Sequence, residues 1–128
     1  MSTATNIEHE RAAWAWKQVE GVHPNIQDGY RVITKTVPAM INQSGLLAAL
    51  AYLDTRTGSN KEAAKQALVH LTDWLVVTDP QRGGALNGDR LLPELAGANT
   101  ELHRQRTDEV MAILGWLRRF ADVQSRSN

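Results

Sequence analysis

The longest apolar run in the chain is Leu46-Leu47-Ala48-Ala49-Leu50-Ala51-Tyr52-Leu53. Its apolar residues are not confined to one side of a helix, which is typical of a helix buried on all sides. The run is far shorter than the roughly 20 apolar residues that span a bilayer. The first ten residues are polar, unlike a signal peptide. We therefore expect a soluble, cytoplasmic protein with no membrane partner, in which this run forms the central helix.

The segments before this run also show apolar residues at helical spacing. A first helix is predicted over residues 6–20, ending near Gly21 and Pro24. Its predicted buried residues are Ala12, Ala13, Trp16 and Val19. A second helix is predicted from Gln27 or Asp28, and Pro38 inside it should kink or break it. The predicted buried residues of this helix are Tyr30, Ile33, Val37, Met40 and Ile41.

Two longer helices are predicted after the run. Ser59 and Glu62 have the spacing of a capping box and predict a helix that ends near Thr78. Its predicted buried residues are Ala64, Ala67, Leu68, Leu71, Trp74 and Leu75. A flexible loop over 80–88 and a short helix over 89–96 are predicted next. Thr100 is predicted to cap the last helix, whose expected buried residues are Val110, Ile113, Leu114, Leu117 and Ala121.

These patterns predict an all-α fold, because strand-like alternation is nearly absent. We expect a single compact bundle of five to six helices, kinked near Pro38. One domain should cover residues 1–128, with flexible ends at 1–5 and 123–128.

Residues suited to catalysis or metal binding are scattered. The chain has no cysteine, which excludes disulfides and thiolate zinc sites. The pair Glu20 and His23 straddles a predicted helix end, and His70 near Asp73 is predicted to lie on a wet surface. There is no nucleophile elbow and no P-loop. We therefore expect no catalytic residue, no metal site, no cofactor and no enzymatic activity.

Basic residues collect in patches although the chain has 14 Lys+Arg and 14 Asp+Glu. A neutral chain can contact nucleic acid only through such local patches. No acid occurs over residues 29–53, which contain Arg31 and Lys35. On the last helix, Arg104 and Arg118 share a face and are about 21 Å apart along the axis. The candidate RNA contacts are Arg11, Lys17, Arg31, Lys35, Arg104, Arg106, Arg118 and Arg119.

One side of the first helix carries apolar residues where water is expected. Trp14, with Ile7 and Arg11 on the same side, has the composition of an interface hot spot. The alternative, that a neighbouring helix covers Trp14, is left open. Trp116 lies at the edge of the last helix's apolar stripe and should be half-buried. The predicted subunit-interface residues are Ile7, Trp14 and Trp116.

Three segments together resemble a known family. The first contains Arg11-Ala12 and Ala15-Trp16. The second contains Tyr30, Lys35, Pro38 and Ile41, followed by Ser44-Gly45-Leu46-Leu47. The third runs from Arg106-Thr107 to Trp116-Leu117-Arg118-Arg119-Phe120-Ala121. In this order and spacing, over about residues 8–122, they are similar to the small helical subunit of the type III-B CRISPR effector, the Cmr complex.

The resemblance implies a function and a set of partners. Members of that family stack as a short filament beside the backbone and large subunits and line the groove where target RNA pairs with the guide RNA. The basic positions of the family are matched by Arg11, Lys35, Arg106 and Arg118. In the segment His103-Arg104-Gln105, the family more usually has an aromatic residue. The implied partners are other effector subunits, copies of the chain itself and the guide–target duplex. Two other readings stay open: an adaptor that contacts protein only, through Trp14, and a metal-dependent enzyme.

Overall fold

The computed structural model describes residues 3–78 and 91–127. Within these ranges the chain forms six α-helices and no strand. They are α1 (Thr3–Glu20), α2 (Gln27–Ser44), α3 (Leu46–Thr55), α4 (Lys61–Val77), α5 (Leu91–Ala96) and α6 (Thr100–Ser127), and a 3₁₀ turn (Pro24–Ile26) precedes α2. The prediction of an all-α fold with five to six helices is confirmed. None of the described helices is long and apolar enough to cross a membrane.

Helix α3 packs against α2, α4 and α5. The prediction that it is buried on all sides is wrong, because Ala48 is exposed and Leu47, Ala51 and Tyr52 are half-buried. One face is completely enclosed, with Leu46, Ala49, Leu50 and Leu53 all 0% exposed. Gly45 separates α2 from α3 and has φ of +91°, a backbone conformation that favours glycine. Its N–H donates to the carbonyl of Ile41 at 2.8 Å and so ends α2. The turn at Gly45 thus directs α3 into the core.

Helix α6 contacts α1, α2 and α4 and supplies a second wall of the core. All five of its predicted core residues are buried: Val110, Ile113, Leu114, Leu117 and Ala121. The predicted cap at Thr100 is wrong, because Asn99 Oδ1 accepts the N–H of Leu102 at 2.8 Å and Thr100 is already helical. The helix continues to Ser127, through most of the segment 123–128; the flexibility of both chain ends stays a prediction.

The predicted buried stripe of α1 is wrong in phase. The buried residues are Ala15, Val19 and, beyond the helix end, Val22, whereas Ala13 is exposed. Trp16 is half-buried and packs edge-on against Phe120 of α6, with ring centroids 5.2 Å apart. Because α1 carries tryptophan or alanine on every side, its apolar pattern did not define one face.

Helix α2 runs through Pro38 without interruption, so the predicted break is wrong, whereas a kink stays a prediction. Its buried residues are Tyr30, Ile33, Thr34, Val37 and Ile41. Met40 is only half-buried. Thr34 is tolerated in the core because its hydroxyl donates to the carbonyl of Arg31 at 3.1 Å.

Helix α4 begins without the predicted capping box. Asn60 is the N-cap and makes no side-chain capping hydrogen bond, so Ser59 and Glu62 do not pair as predicted. The helix buries Ala63, Ala64, Ala67, His70, Leu71, Thr72, Trp74 and Leu75. Leu68 is half-buried. The short helix predicted over 89–96 is found over Leu91–Ala96 as α5. Residues 89–90 and the predicted loop over 80–88 lie outside the described residues.

Candidate nucleic-acid interface

Basic side chains of α2 and α6 meet on one exposed surface. The start of α2 lies beside the end of α6, since Ser125 Oγ donates to Asp28 Oδ1 at 3.4 Å. One turn further along α2, Arg31 Nη1 is 3.9 Å from Asp122 Oδ1 of α6, and another turn on, Lys35 Nζ is 3.3 Å from the same oxygen. We call Arg31, Lys35, Arg118 and Asp122 the α2–α6 basic surface.

The α2–α6 basic surface has more positive than negative charge. Arg31 and Lys35 share one carboxylate, and their side chains keep 36% and 39% of their area exposed. Arg118 lies one helical turn before Asp122, on the same face of α6. It is exposed and has no ion pair within the described part of the chain. Three cations of this set therefore face one acid, with Asp28 one turn before Arg31 as a second acid beside the set. An exposed pair of this kind contributes only about 0–1 kcal/mol. A phosphate can therefore take the place of Asp122 as the partner of Arg31 and Lys35 with little loss of interaction free energy.

Arg104, another predicted RNA contact, lies in an acidic neighbourhood. Its Nη2 is 2.6 Å from Glu101 Oε1 and its Nη1 is 3.1 Å from Asp108 Oδ2. The hydrogen bond to Glu101 raises the pKa of Arg104 and lowers that of Glu101. Two acids thus surround one cation, so Arg104 adds no net positive charge to the surface.

Arg11 links three helices and does not face open solvent. Its Nε and Nη2 donate to the two carboxylate oxygens of Glu109 at 3.0 and 3.1 Å. Its Nη1 donates to Glu8 at 2.6 Å, and Trp74 Nε1 donates to the same Glu109 at 3.0 Å. The bond to Glu109 is the main cause of the raised pKa of Arg11. Arg11 of α1 therefore connects α1 to α6 and, through Glu109, to α4.

Trp116 and Arg119 form a smaller cluster with Glu8. Trp116 Nε1 donates to Glu8 Oε2 at 2.9 Å, which is the main reason why the pKa of Glu8 is lowered. The guanidinium of Arg119 lies over the Trp116 ring, 5.2 Å from its centroid. Trp116 is half-buried, in the position predicted for it. Trp116 and Arg119 of α6 therefore already have interaction partners within the chain.

Trp14 is covered on one side by α4. Its ring lies 4.9 Å from that of Trp74 and 6.4 Å from that of His70, measured between centroids. A groove of about 620 Å³ remains beside it, lined also by Ile7 and Val77. Ile7 is 39% and Val77 57% exposed. A neighbouring helix therefore packs on one side of Trp14, and a groove stays open beside it; the role of Trp14 in a subunit interface stays a prediction.

The last two predicted contacts differ sharply in burial. Lys17 is exposed on α1 and has no ion pair within residues 3–78 and 91–127. Arg106 is only 6% exposed, and its Nε and Nη1 are enclosed without a hydrogen-bond partner among those same residues. Lys17 is available to a polyanion, whereas the enclosed atoms of Arg106 are not.

The prediction that His70 lies on the surface is wrong. It is 4% exposed, with Nδ1 2.7 Å from the Tyr30 hydroxyl and Nε2 2.9 Å from Gln66 Nε2. When the Gln66 amide donates to Nε2, Nδ1–H is the donor to Tyr30. Burial lowers the pKa of His70 to about 4 and raises that of Tyr30. The sequence signal was present, since His70 lies three residues after Ala67 and four before Trp74 on the predicted stripe.

Neutral His70 is therefore a polar core residue of α4. Within the described residues, no group of three or more His, Asp or Glu side chains is arranged to hold a metal ion.

The structure defines a small all-helical protein with an exposed basic surface between two of its helices. A family described as "CRISPR-associated protein (Cas_Cmr5)" has a sequence profile that matches residues 7–124. The chain therefore belongs to this family. This confirms the resemblance to the small helical subunit of the type III-B effector.

A solved structure supports the assignment. The X-ray crystal structure of a CRISPR-associated Cmr5 family protein from Thermus thermophilus is 26% identical in sequence and has a TM-score of 0.70. The match covers 91% of this chain and 95% of that chain, so the likeness extends over the whole fold. No curated protein sequence is significantly similar to the chain.

Proposed function

We propose that the chain is a non-catalytic subunit of the type III-B CRISPR effector whose α2–α6 basic surface lines the groove for guide-paired target RNA. The observation that carries this proposal is the sharing of one acid, Asp122, by Lys35 and Arg31, with Arg118 one turn away. Phosphate contacts of this kind supply affinity but no sequence information. That suits an assembly in which base pairing to a guide reads the sequence.

The neutral overall charge fits a subunit that acts in several copies. The surplus of about one to two charges on and beside the α2–α6 basic surface gives one copy only weak affinity for RNA. Copies stacked as a short filament in the cytoplasm hold successive phosphates of one strand, and their linked contacts multiply the affinity. The partners in this proposal are the backbone and large subunits, further copies of the chain and the guide–target duplex. Lys17 and Arg119 are further exposed cations that this proposal counts as RNA contacts.

Reversing charge on the α2–α6 basic surface tests the proposal. In the assembled effector, Lys35→Glu together with Arg118→Glu should weaken target RNA binding most strongly at low salt. The slope of log affinity against log salt should fall by about 0.7–0.9 for each cation that no longer neutralises a phosphate. The matched control is Lys61→Glu with Lys65→Glu, two exposed lysines on α4. Circular dichroism should show the same helix content in both variants.

Unchanged RNA affinity at every salt concentration would rule out this surface. A second candidate function, an adaptor that contacts protein only, is favoured by the apolar groove beside Trp14 and Ile7. For that function, Ile7→Glu should fold normally and fail to join the effector, while the charge reversals leave RNA binding intact. The RNA-lining subunit and the protein adaptor therefore predict opposite results for the Lys35→Glu/Arg118→Glu protein and the Ile7→Glu protein.

A further inference from the structure

Two of the three guanidinium nitrogens of Arg106, in the second turn of α6, are enclosed, and the group has no ion pair among the described residues. The residue is only 6% exposed, and within the described part of the chain neither Nε nor Nη1 has a hydrogen-bond partner. Arg31 and Arg56 also enclose Nε, but those guanidinium groups reach Asp122 and the Tyr52 hydroxyl respectively. An enclosed charge without a partner is strongly destabilising. Arg106 is therefore expected to have an anionic partner when the protein works.

Arg106 lines a cavity that has room for such a partner. The cavity has a volume of about 350 Å³ and lies between the end of α4 and the start of α6, with Leu75 and Thr78 on its α4 side. The Thr78 hydroxyl already donates to the carbonyl of Trp74 at 2.8 Å, so it does not compete for the anion. Leu75 makes one wall apolar, which strengthens a charge-assisted hydrogen bond inside. A planar carboxylate is the group that matches the donor geometry of a guanidinium.

The charges around the cavity favour one carboxylate over a phosphate strand. Asp108 and Glu109 line it together with Arg104 and Arg106. Arg104 is already neutralised by Glu101 and Asp108, and Glu109 by Arg11. Successive phosphates of an RNA strand would approach these acids. A single carboxylate brings one charge, which the guanidinium of Arg106 balances.

We propose that Arg106 receives an Asp or Glu side chain of a neighbouring protein subunit in the effector. This proposal depends on the chain being a subunit of a protein assembly and not on the RNA contact of the α2–α6 basic surface. It changes the predicted role of Arg106 from an RNA contact to a protein-docking residue.

The test compares Arg106→Met with Arg126→Met, which removes an exposed arginine of the same helix. In the isolated full-length chain, Arg106→Met should raise the melting temperature by roughly 4 °C, because an enclosed unpaired charge is replaced by an apolar side chain of similar length. Co-expressed with the other effector subunits, the same variant should be captured roughly 30-fold less tightly, because the partner carboxylate loses its cation. Arg126→Met should change neither quantity.

Three results would overturn the proposal. A lower melting temperature for isolated Arg106→Met would mean that the chain supplies its own carboxylate; Asp79→Asn and Asp89→Asn would then identify it. If Arg106→Met assembles normally but loses RNA affinity, the group that binds Arg106 is a phosphate. If Arg106→Met keeps both normal assembly and normal RNA affinity, the Arg106 cavity has no role in the effector. If only the Lys35 and Arg118 reversals fail to weaken RNA binding, the proposed function falls and the docking role of Arg106 remains.

Discussion

Acid should destabilise the protein through His70. Because burial lowers the pKa of His70 to about 4 in the folded protein, from 6.5 in a free side chain, the unfolded chain binds the proton first as the pH falls. The stability that His70 contributes is therefore complete above about pH 6.5 and is lost as the pH falls towards 4. The full loss is about 3 kcal/mol, and about 2 kcal/mol of it falls between pH 7 and pH 5.

The measurement is urea unfolding followed by tryptophan fluorescence at pH 7, 6 and 5. The His70→Gln variant keeps hydrogen-bonding groups near Tyr30 and Gln66 but cannot titrate in this range. Its lower or higher stability at pH 7 does not matter, because only the change with pH is compared. The unmodified chain should lose about 2 kcal/mol more than the variant between pH 7 and pH 5. Parallel losses in the two proteins would refute the assignment of His70 as a buried neutral residue.

Two further predictions concern stability. Glu109→Gln should lower the free energy of unfolding, measured in urea, by about 2 kcal/mol, because the ion pair with Arg11 and the hydrogen bond from Trp74 are both weakened. The control is Asp108→Asn, which removes only an exposed ion pair and should lower the free energy of unfolding by less than about 1 kcal/mol. Gly45→Ala should lower the free energy of unfolding by about 1–3 kcal/mol in a thermal melt, because φ of +91° and ψ of 164° is a backbone conformation that alanine adopts only with strain. Gly97→Ala, at a glycine without positive φ, should be close to neutral, and equal effects at both glycines would contradict the prediction.

The elements with strong, one-sided apolar patterns could be predicted from the sequence. Helix α6 repeats Val110, Ile113, Leu114 and Leu117 at helical spacing, and all four are buried. The run that became α3 was correctly predicted to be a helix that contributes to the core, but its exposed side was missed, because a small residue such as Ala48 suits either environment. Helix α1 was misjudged because its large side chains, such as Trp16, lie beside the buried stripe of small residues and not on it.

The state of individual charges could not be predicted, because it depends on residues far away in the chain. Arg11 is held by Glu109, 98 residues later, and nothing in the local pattern around Arg11 indicates that contact. Lys35 shares Asp122 with Arg31 only because α2 and α6 are neighbours. Spacing identified the basic residues as a set, and only the packing of the helices separates those that are paired from those that are available.

The balance of 14 basic and 14 acidic residues does not conflict with RNA contact once these pairs are separated. In a neutral chain, a positive surplus on the α2–α6 basic surface requires an equal negative surplus elsewhere. The start of α6 carries no positive surplus, since Glu101 and Asp108 there are balanced by Arg104 and Arg106. A neutral molecule has little net attraction for RNA at a distance, so in the proposed function only the local field of the basic surface would orient it once it is close to the strand. Arg106 lies at the start of α6, where the charges balance and a strand of phosphates gains no net attraction, and the two proposals therefore assign RNA to the α2–α6 basic surface and a protein neighbour to Arg106.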